Sequence, residues 1–491
     1  LPILDHDLLL IDESFRSLIG GPQSDVIGEQ FVHSDRVTVY AGSIEGADPG
    51  FYVDIRADAP QKYYQTSFFK SRILHFDYPY RSEDFDGPLE NRHIYYESSR
   101  GCPFSCTYCL SSSEKGLYHK PLDRVVAELE DMLTFRPSVV RFIDRTFNDI
   151  PDRALAICNF LIEHGGDTLF HFEIAPDRFT KEMFEVLENV QPRRFQFEIG
   201  IQSTNNRTLE AIQRPIDPQG AALVIKKVRS LETIHIHADL ILGLPYDTVS
   251  TFLRSLDDLF AMGPHYIQMG LLKLLPNTPI NKEADHHKYR ASRRPPYGVY
   301  ANRWIDSESF RDLYWLSECV EKFLNNRYFV SIWNYFSDQE EKMSLFFSSL
   351  SKRLFGHGYF WKAATQERLS SLLLSHLEDR DDSRILKELL CYDWLRCGHR
   401  FLPDHLRSVG PEVDEFRRGL FRSLPETLEG YYDKSTRGYF FKKSVFFLFS
   451  RESLTHIGYE VTTDKGIVRF SSEREATVLR LHRTQLLPGL E

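Results

Sequence analysis

Three cysteines stand within eight residues in the stretch Glu97-Ser-Ser-Arg-Gly-Cys102-Pro-Phe-Ser-Cys106-Thr-Tyr-Cys109. Thiolates are soft ligands that select zinc, copper(I) or iron–sulfur centres. Three of them can hold three irons of a four-iron cluster and leave the fourth iron without a protein ligand. Clusters that only store or shuttle electrons draw on four cysteines. An iron with an open position can bind a cofactor or substrate and pass it an electron. The competing chemistry is a structural zinc site, which wants four closed ligands, usually as two pairs. This triplet is asymmetric, and the nearest spare ligands, His93, His119 and Cys158, stand at no finger spacing.

Chemistry of this kind needs a rigid frame, and the pattern around the triplet supplies one. Strand-like stretches at His93–Ser98, Val139–Asp144, Leu169–Ile174, Arg194–Ile201, Ile234–Leu242 and His265–Lys273 alternate with helical patterns. The helices fall at Pro121–Phe135, Asp152–Glu163, Lys181–Asn189, Gln219–Leu231 and Thr248–Ala261. About six strand–helix units in sequence imply an α/β fold with a parallel sheet and helices outside it. A curved, incomplete (β/α)6 barrel fits that count. In Phe195-Gln-Phe-Glu-Ile-Gly and Ile234-His-Ile-His-Ala-Asp, polar residues alternate with apolar ones. His171 and Glu173 likewise share one face of the third strand. Alternation puts polar groups on one face of a strand, so the interior is expected to be a polar, ligand-bearing lumen. A closed eight-stranded barrel fills its interior with branched apolar side chains instead.

The expected organisation is a truncated N-terminal segment and linker over residues 1–85, the core over 86–285, a helical C-terminal domain over 286–425, and a small β-rich end piece over 426–491. Within the first part, Ser17-Leu-Ile-Gly-Gly-Pro-Gln23 reads as a strand running into a Gly-Pro turn, and residues 60–91 read as an irregular linker. The helical patterns after residue 286 are Ser307–Leu324, Lys342–Leu354, Gln366–Leu377 and Ser383–Arg396, the last stopped by Gly398 at a C′ position. Aromatic and β-branched stretches at Gly438–Phe449 and Gly458–Phe470 are expected to form strands.

The chain has 491 residues, 42% of them hydrophobic, enough for sizeable cores. Its net charge of −10 argues against a nucleic-acid partner, which normally calls for a basic surplus. Seven cysteines do not make a disulfide scaffold, and a low-potential cluster needs a reducing compartment. No apolar run approaches a membrane span. A cytoplasmic protein with no membrane partner is expected. The first residue is Leu, not Met, which suggests a fragment or a processed product.

The Cys-x3-Cys-x2-Cys spacing, with Tyr108 just before the last cysteine, resembles the radical S-adenosylmethionine (SAM) superfamily. Tyr96, six residues before Cys102, resembles a first-strand tyrosine that contacts SAM there. Phe172-Glu173-Ile-Ala-Pro-Asp resembles the third-strand segment whose glutamate meets the methionyl part of SAM. Gly200-Ile-Gln202-Ser-Thr-Asn, followed twelve residues after the glutamine by Arg214, resembles a pair in which glutamine holds the ribose and arginine the SAM carboxylate. Asp239-Leu-Ile-Leu-Gly-Leu-Pro245 resembles the segment whose aspartate binds ribose hydroxyls. One departure is Asp144-Arg-Thr-Phe-Asn148, where many members carry a Gly-Gly-Glu-like turn.

The resemblance is strongest to the subgroup holding oxygen-independent coproporphyrinogen oxidase and the cobalamin-binding enzymes. Glu97-Ser-Ser-Arg-Gly-Cys-Pro-Phe, Phe142-Ile-Asp-Arg-Thr-Phe-Asn and the helical C-terminal part resemble an uncharacterised family with a cobalamin-binding-type N-terminal domain. It implies a 4Fe-4S cluster on Cys102, Cys106 and Cys109, and SAM held by Tyr96, Tyr108, Glu173, Gln202, Arg214 and Asp239. It further implies hydrogen abstraction from an unidentified organic substrate and an electron donor of the flavodoxin or ferredoxin type. The alternatives are a methyl or methylthio transferase, and a non-catalytic iron–sulfur or zinc protein. Asp5-His6-Asp7 does not match the cobalamin-grasping Asp-x-His-x-x-Gly, so little cobalamin binding is expected of this chain. Cys391 and Cys397 could suggest a second cluster with Cys319 and His399, but helix positions six apart face different ways, so a core reading is favoured; Cys158, in an apolar helix pattern, also reads as core. His286-His287 reads as a solvated turn.

Overall fold

The structure is a computed structural model that describes residues 17–19, 37–41, 49–65, 78–85, 87–112, 116–407, 412–422 and 437–487. Asp5-His6-Asp7 and the Gly20-Gly-Pro turn lie outside the described residues. The N-terminal part holds a parallel three-stranded sheet of β1 (Ser17–Ile19), β2 (Val37–Ala41) and β3 (Tyr63–Gln65). A helix at Pro49–Arg56 joins β2 to β3, and its Phe51 packs between Tyr40 and Tyr64. Part of the segment read as an irregular linker is therefore a strand. Its pairing depends on β2, which no local pattern near residue 63 announces.

The main sheet contains β4 (His93–Tyr96), β7 (Val139–Phe142), β8 (Leu169–Glu173), β9 (Phe195–Gln202), β10 (His235–Leu242) and β11 (Tyr266–Leu271). Their order is β11-β10-β9-β8-β7-β4, so sequential strands are neighbours and β4 and β11 are the edges. The pairs β4–β7, β7–β8 and β8–β9 are parallel. A short antiparallel hairpin, β5 (Ser99–Gly101) with β6 (Leu117–His119), frames the cysteine loop. Helices at Leu122–Thr134, Pro151–His164 and Lys181–Leu187 follow the early strands. Each predicted strand of the main sheet and each predicted helix between these strands occurs, within two residues at either end.

Alternation in β9 is complete: Phe195, Phe197, Ile199 and Ile201 are buried, while Gln196, Glu198, Gly200 and Gln202 face a less enclosed side. The aromatic face forms a continuous cluster, with Phe172 against Phe142, Phe147, Phe195 and Phe197. This apolar side stabilises the sheet, and the polar side is left for a site.

The described residues fall into two compact units. One comprises those up to Val224 with 239–252 and 270–311. It includes the antiparallel pair β12 (Arg290–Ala291) and β13 (Val299–Ala301). The other comprises 225–238, 253–269 and those from Asp312 onward. The second is mainly helical, with Ser307–Phe323 (from Asp312), Val330–Asp338, Met343–Gly356, Gln366–Leu377 and Ser383–Arg396. The last helix ends, as expected, with Gly398 at φ +101°. Its β-rich end is the antiparallel sheet β14 (Ser444–Ser450), β15 (Lys465–Arg474) and β16 (His482–Leu486). The stretch before β14 is helical over Arg437–Lys442, not strand as expected.

Candidate functional site

The cysteine loop is fixed before its thiols are aimed. Asp144, two residues past β7, is buried. It accepts from Ser98 N at 2.9 Å, Ser98 Oγ at 2.6 Å and Ser99 Oγ at 2.6 Å. These bonds hold the chain between β4 and Cys102. Gly101 has φ +109°, and a Cβ there would lie 2.1 Å from the Gly116 carbonyl oxygen, so the hairpin closes only on glycine. Within the loop, Thr107 N donates to Ile212 O at 2.9 Å and Thr107 O accepts from Ile280 N at 3.0 Å.

The loop bounds a cavity of about 270 Å³ at the C-terminal ends of the strands, where ligands bind in sheets of this kind. Cys102, Cys106, Tyr108 and Cys109 line it from the loop, Glu173 from β8, Gln202 from β9, Asp239 from β10, and Arg214 from the segment after the Asn206–Ala211 helix. Every predicted site residue but one is thus brought to a single cavity.

Tyr96 is the exception: it does not line the cavity. It is buried on the opposite face of β4, where its hydroxyl donates to Glu128 Oε2 at 2.8 Å. Lys120 Nζ, 2.8 Å from the same carboxylate oxygen, also lies 5.0 Å from the Tyr96 ring. Tyr96 has the same strand parity as the buried Ile94, so side-chain alternation directs it to the helices. Sequence reasoning missed Arg145, Thr146 and Phe104, and read Glu198 only as a lumen residue; all four line the cavity. Alternation with Gln202 along β9 was the available signal for Glu198.

Several polar atoms around this cavity are buried and lack a hydrogen-bond partner among the described residues: Gln202 Oε1, Arg214 Nε and Asp239 Oδ1. Buried polar groups are normally satisfied, so three such atoms around one cavity fit a site built for a polar ligand. Arg214 donates from Nη2 to the Gly200 carbonyl at 2.7 Å, lies 3.9 Å from Cys106 Sγ through Nη1, and stands over the Phe104 ring at 5.3 Å. Gln202 holds φ +70°, a conformation that costs about 1–3 kcal/mol for a non-glycine residue and gathers at functional sites. His171 Nε2 lies 3.0 Å from Glu198 Oε2 without making a hydrogen bond to it.

The electrostatics follow from burial. Burial pushes the Asp239 carboxyl well above the usual carboxylate range, and the Glu198 and Glu173 carboxylates push it further. Burial also raises Glu173, with the Arg145 guanidinium, 3.5 Å away, as the main opposing influence. The Cys106 thiol is raised by burial and drawn down in part by Arg214. Three thiols, the Arg145 and Arg214 guanidiniums and the carboxyl groups of Glu173, Glu198 and Asp239 all line this one cavity.

The remaining cysteines stand apart. Cys158, Cys319 and Cys391 are buried, and the Cys391 thiol donates to Leu406 O at 3.6 Å. Cys397 Sγ meets Arg327 O at 3.7 Å. Among the described residues no group of three or more His, Cys, Asp and Glu side chains gathers tightly enough for a single metal ion. A four-iron cube spreads its thiolates more widely than one ion does. The His286-His287 stretch is a turn with His286 exposed, as expected, but His287 is buried against Trp304 and Tyr289, with Nε2 3.2 Å from Glu283. Among the described residues no helix is long and apolar enough to cross a membrane.

Comparison with known proteins places two families on the chain. Residues 96–259 match the radical SAM superfamily, and residues 285–453 match a family of unknown function, DUF4080. The chain is 27% identical over 224 residues to the cobalamin-dependent radical SAM methyltransferase TokK of Streptomyces tokunonensis, covering 42% of this chain and 31% of that protein. It is 24% identical over 180 residues to a tRNA-2-methylthio-N(6)-dimethylallyladenosine synthase of Pseudothermotoga lettingae, covering 34% and 41%. The chain therefore spans between 31% and 41% of the length of these two curated relatives. Among solved structures, the cobalamin-dependent SAM radical enzyme OxsB with aqua-cobalamin and SAM bound aligns with a TM-score of 0.47 and 13% identity, over 77% of this chain and 66% of that one.

Proposed function

We propose that the chain is an enzyme of the radical SAM superfamily whose cavity binds a 4Fe-4S cluster and SAM for hydrogen abstraction from an organic substrate. The observation that carries this reading is the convergence of Cys102, Cys106 and Cys109 on the cavity around which the unpartnered atoms of Gln202, Arg214 and Asp239 lie. When bound, a cluster with one iron lacking a protein ligand supplies the electron that cleaves SAM to a 5′-deoxyadenosyl radical.

The chain's own residues do the rest. The three cysteines supply the thiolates, and the Asp144 network holds their loop in register with β7. Asp239 offers a carboxylate to ribose hydroxyls, and Gln202 an amide beside it. Glu173 accepts from the SAM ammonium. Arg214 presents a planar fork suited to the SAM carboxylate, with its neighbours Gly200 and Phe104 fixing its plane. Tyr108 walls the cavity beside Cys106. The enzyme needs a reductant; a flavodoxin- or ferredoxin-type donor and a cytoplasmic location belong to this reading.

A second reading is methyl or methylthio transfer, favoured by the names of both curated relatives. Anaerobic reconstitution, reduction with dithionite and product analysis test the proposal. About four irons per chain and release of 5′-deoxyadenosine support it. S-adenosylhomocysteine, alone or together with 5′-deoxyadenosine, would favour methyl or methylthio transfer, and zinc with neither product would refute both.

A further inference from the structure

The turn after β7 carries a loose cation on a fixed backbone. Asp144 is held by Ser98 and Ser99, the Thr146 hydroxyl donates to Arg145 O at 2.7 Å, and Phe147 N donates to Glu173 O at 2.9 Å. Asn148 exchanges two bonds with the Ala175 backbone, at 2.8 and 2.9 Å. The Arg145 side chain, by contrast, is 56% exposed, lines the cavity, and meets Glu173 Oε1 only at 3.5 Å.

We propose that Arg145 is the receptor for an oxyanion group of the second substrate, and that SAM exposes this receptor by taking Glu173 away from it. The inference rests on the reading above in which Glu173 accepts the SAM ammonium. Two cations close to one carboxylate repel each other, and the Arg145–Glu173 pair is long and solvated, so the tethered cation yields. The released guanidinium then stands in the cavity without a counter-ion. Its planar fork matches a carboxylate or a phosphate. The substrate is therefore an acid. By linkage, such an anion and SAM strengthen each other's binding.

Calorimetric titration of SAM into the anaerobically reconstituted full chain tests this, at constant ionic strength, with and without inorganic phosphate, and separately with acetate. In the absence of either anion, Arg145→Gln is expected to bind SAM about two- to fivefold more tightly than the wild type, the range of a lost solvated pair. Phosphate, acetate or both should tighten SAM binding in the wild type and leave Arg145→Gln unchanged. Which anion acts distinguishes a phosphate from a carboxylate receptor. Unchanged or weaker SAM binding in Arg145→Gln overturns the proposal, as does the failure of both anions to tighten wild-type binding. Glu173→Gln separates the two levels. If it leaves SAM affinity intact, the reading of Glu173 itself fails. If it weakens SAM while Arg145→Gln has no effect, only the role of Arg145 fails.

Discussion

Arg214 donates through Nη2 to the carbonyl oxygen of Gly200 at 2.7 Å, and this bond ties the segment after the Asn206–Ala211 helix back onto the strand that carries Gln202. A twelve-residue offset in sequence thus becomes a shared wall. A Cβ on residue 200 would lie 2.3 Å from Gln202 Nε2, so the present placement of that amide relies on glycine, while 3.5 Å to Arg214 Nη2 would be an ordinary contact.

Replacing Arg214 should separate folding from binding. Arg214→Lys keeps the charge and loses the fork. SAM affinity is expected to fall ten- to a hundredfold, the equivalent of about 1.5–3 kcal/mol for a charge-assisted pair, with cluster content retained. Titration of the reconstituted protein measures this. Unchanged affinity in both Arg214→Lys and Arg214→Ala would place the residue outside the SAM site.

The cysteines should divide into two classes. Cys102→Ala, Cys106→Ala and Cys109→Ala are each expected to abolish the cluster's visible absorbance. Cys391→Ala and Cys397→Ala should leave iron content intact, since these thiols contact the Leu406 and Arg327 carbonyls and do not line the cavity. Loss of half the iron in the second pair would reveal a second cluster.

Tyr96→Phe is expected to cost stability and spare the cofactor. The variant loses a buried hydrogen bond to Glu128, worth about 1.5–3 kcal/mol when the acceptor is charged, while Glu128 keeps Lys120 and Arg124. Denaturant unfolding should show the loss, and SAM affinity should stay within about twofold. A large fall in SAM affinity would return Tyr96 to the SAM site.

SAM binding should release a proton from Asp239. Burial, Glu198 and Glu173 raise its pKa, opposed by Arg214, which favours the protonated form before SAM binds. Accepting ribose hydroxyls favours the ionised form, so SAM affinity should rise with pH until Asp239 is ionised in the free protein. The heat of binding should then depend on the ionisation enthalpy of the buffer, and Asp239→Asn should remove that dependence. Equal heats in all buffers for the wild type would show that the carboxyl keeps its protonation state.

Much of the core was legible because its signals are local. Strand and helix periods located β4 and β7 to β11 and the helices between them, and parity along β9 placed Gln196, Glu198 and Gln202 on one face. The same parity argument, applied to β4, would have turned Tyr96 away from the site. The hairpin of β5 and β6 was not legible, because three-residue strands carry too little period to detect.

The sequence by itself determined which chemistry is possible: a three-thiolate set, with a glutamate, a glutamine, an arginine and an aspartate spaced along successive strand–helix units. Those are properties of residue type and local order. Tertiary structure decided which of them share one cavity, that Arg145 and Glu198 line it, and that Tyr96 serves the helix layer instead. Convergence depends on close approach between segments far apart in the chain, such as Asp144 beside Ser98 and Arg214 beside Gly200. Those approaches are settled by packing and by satisfying buried polar groups, which no local pattern encodes.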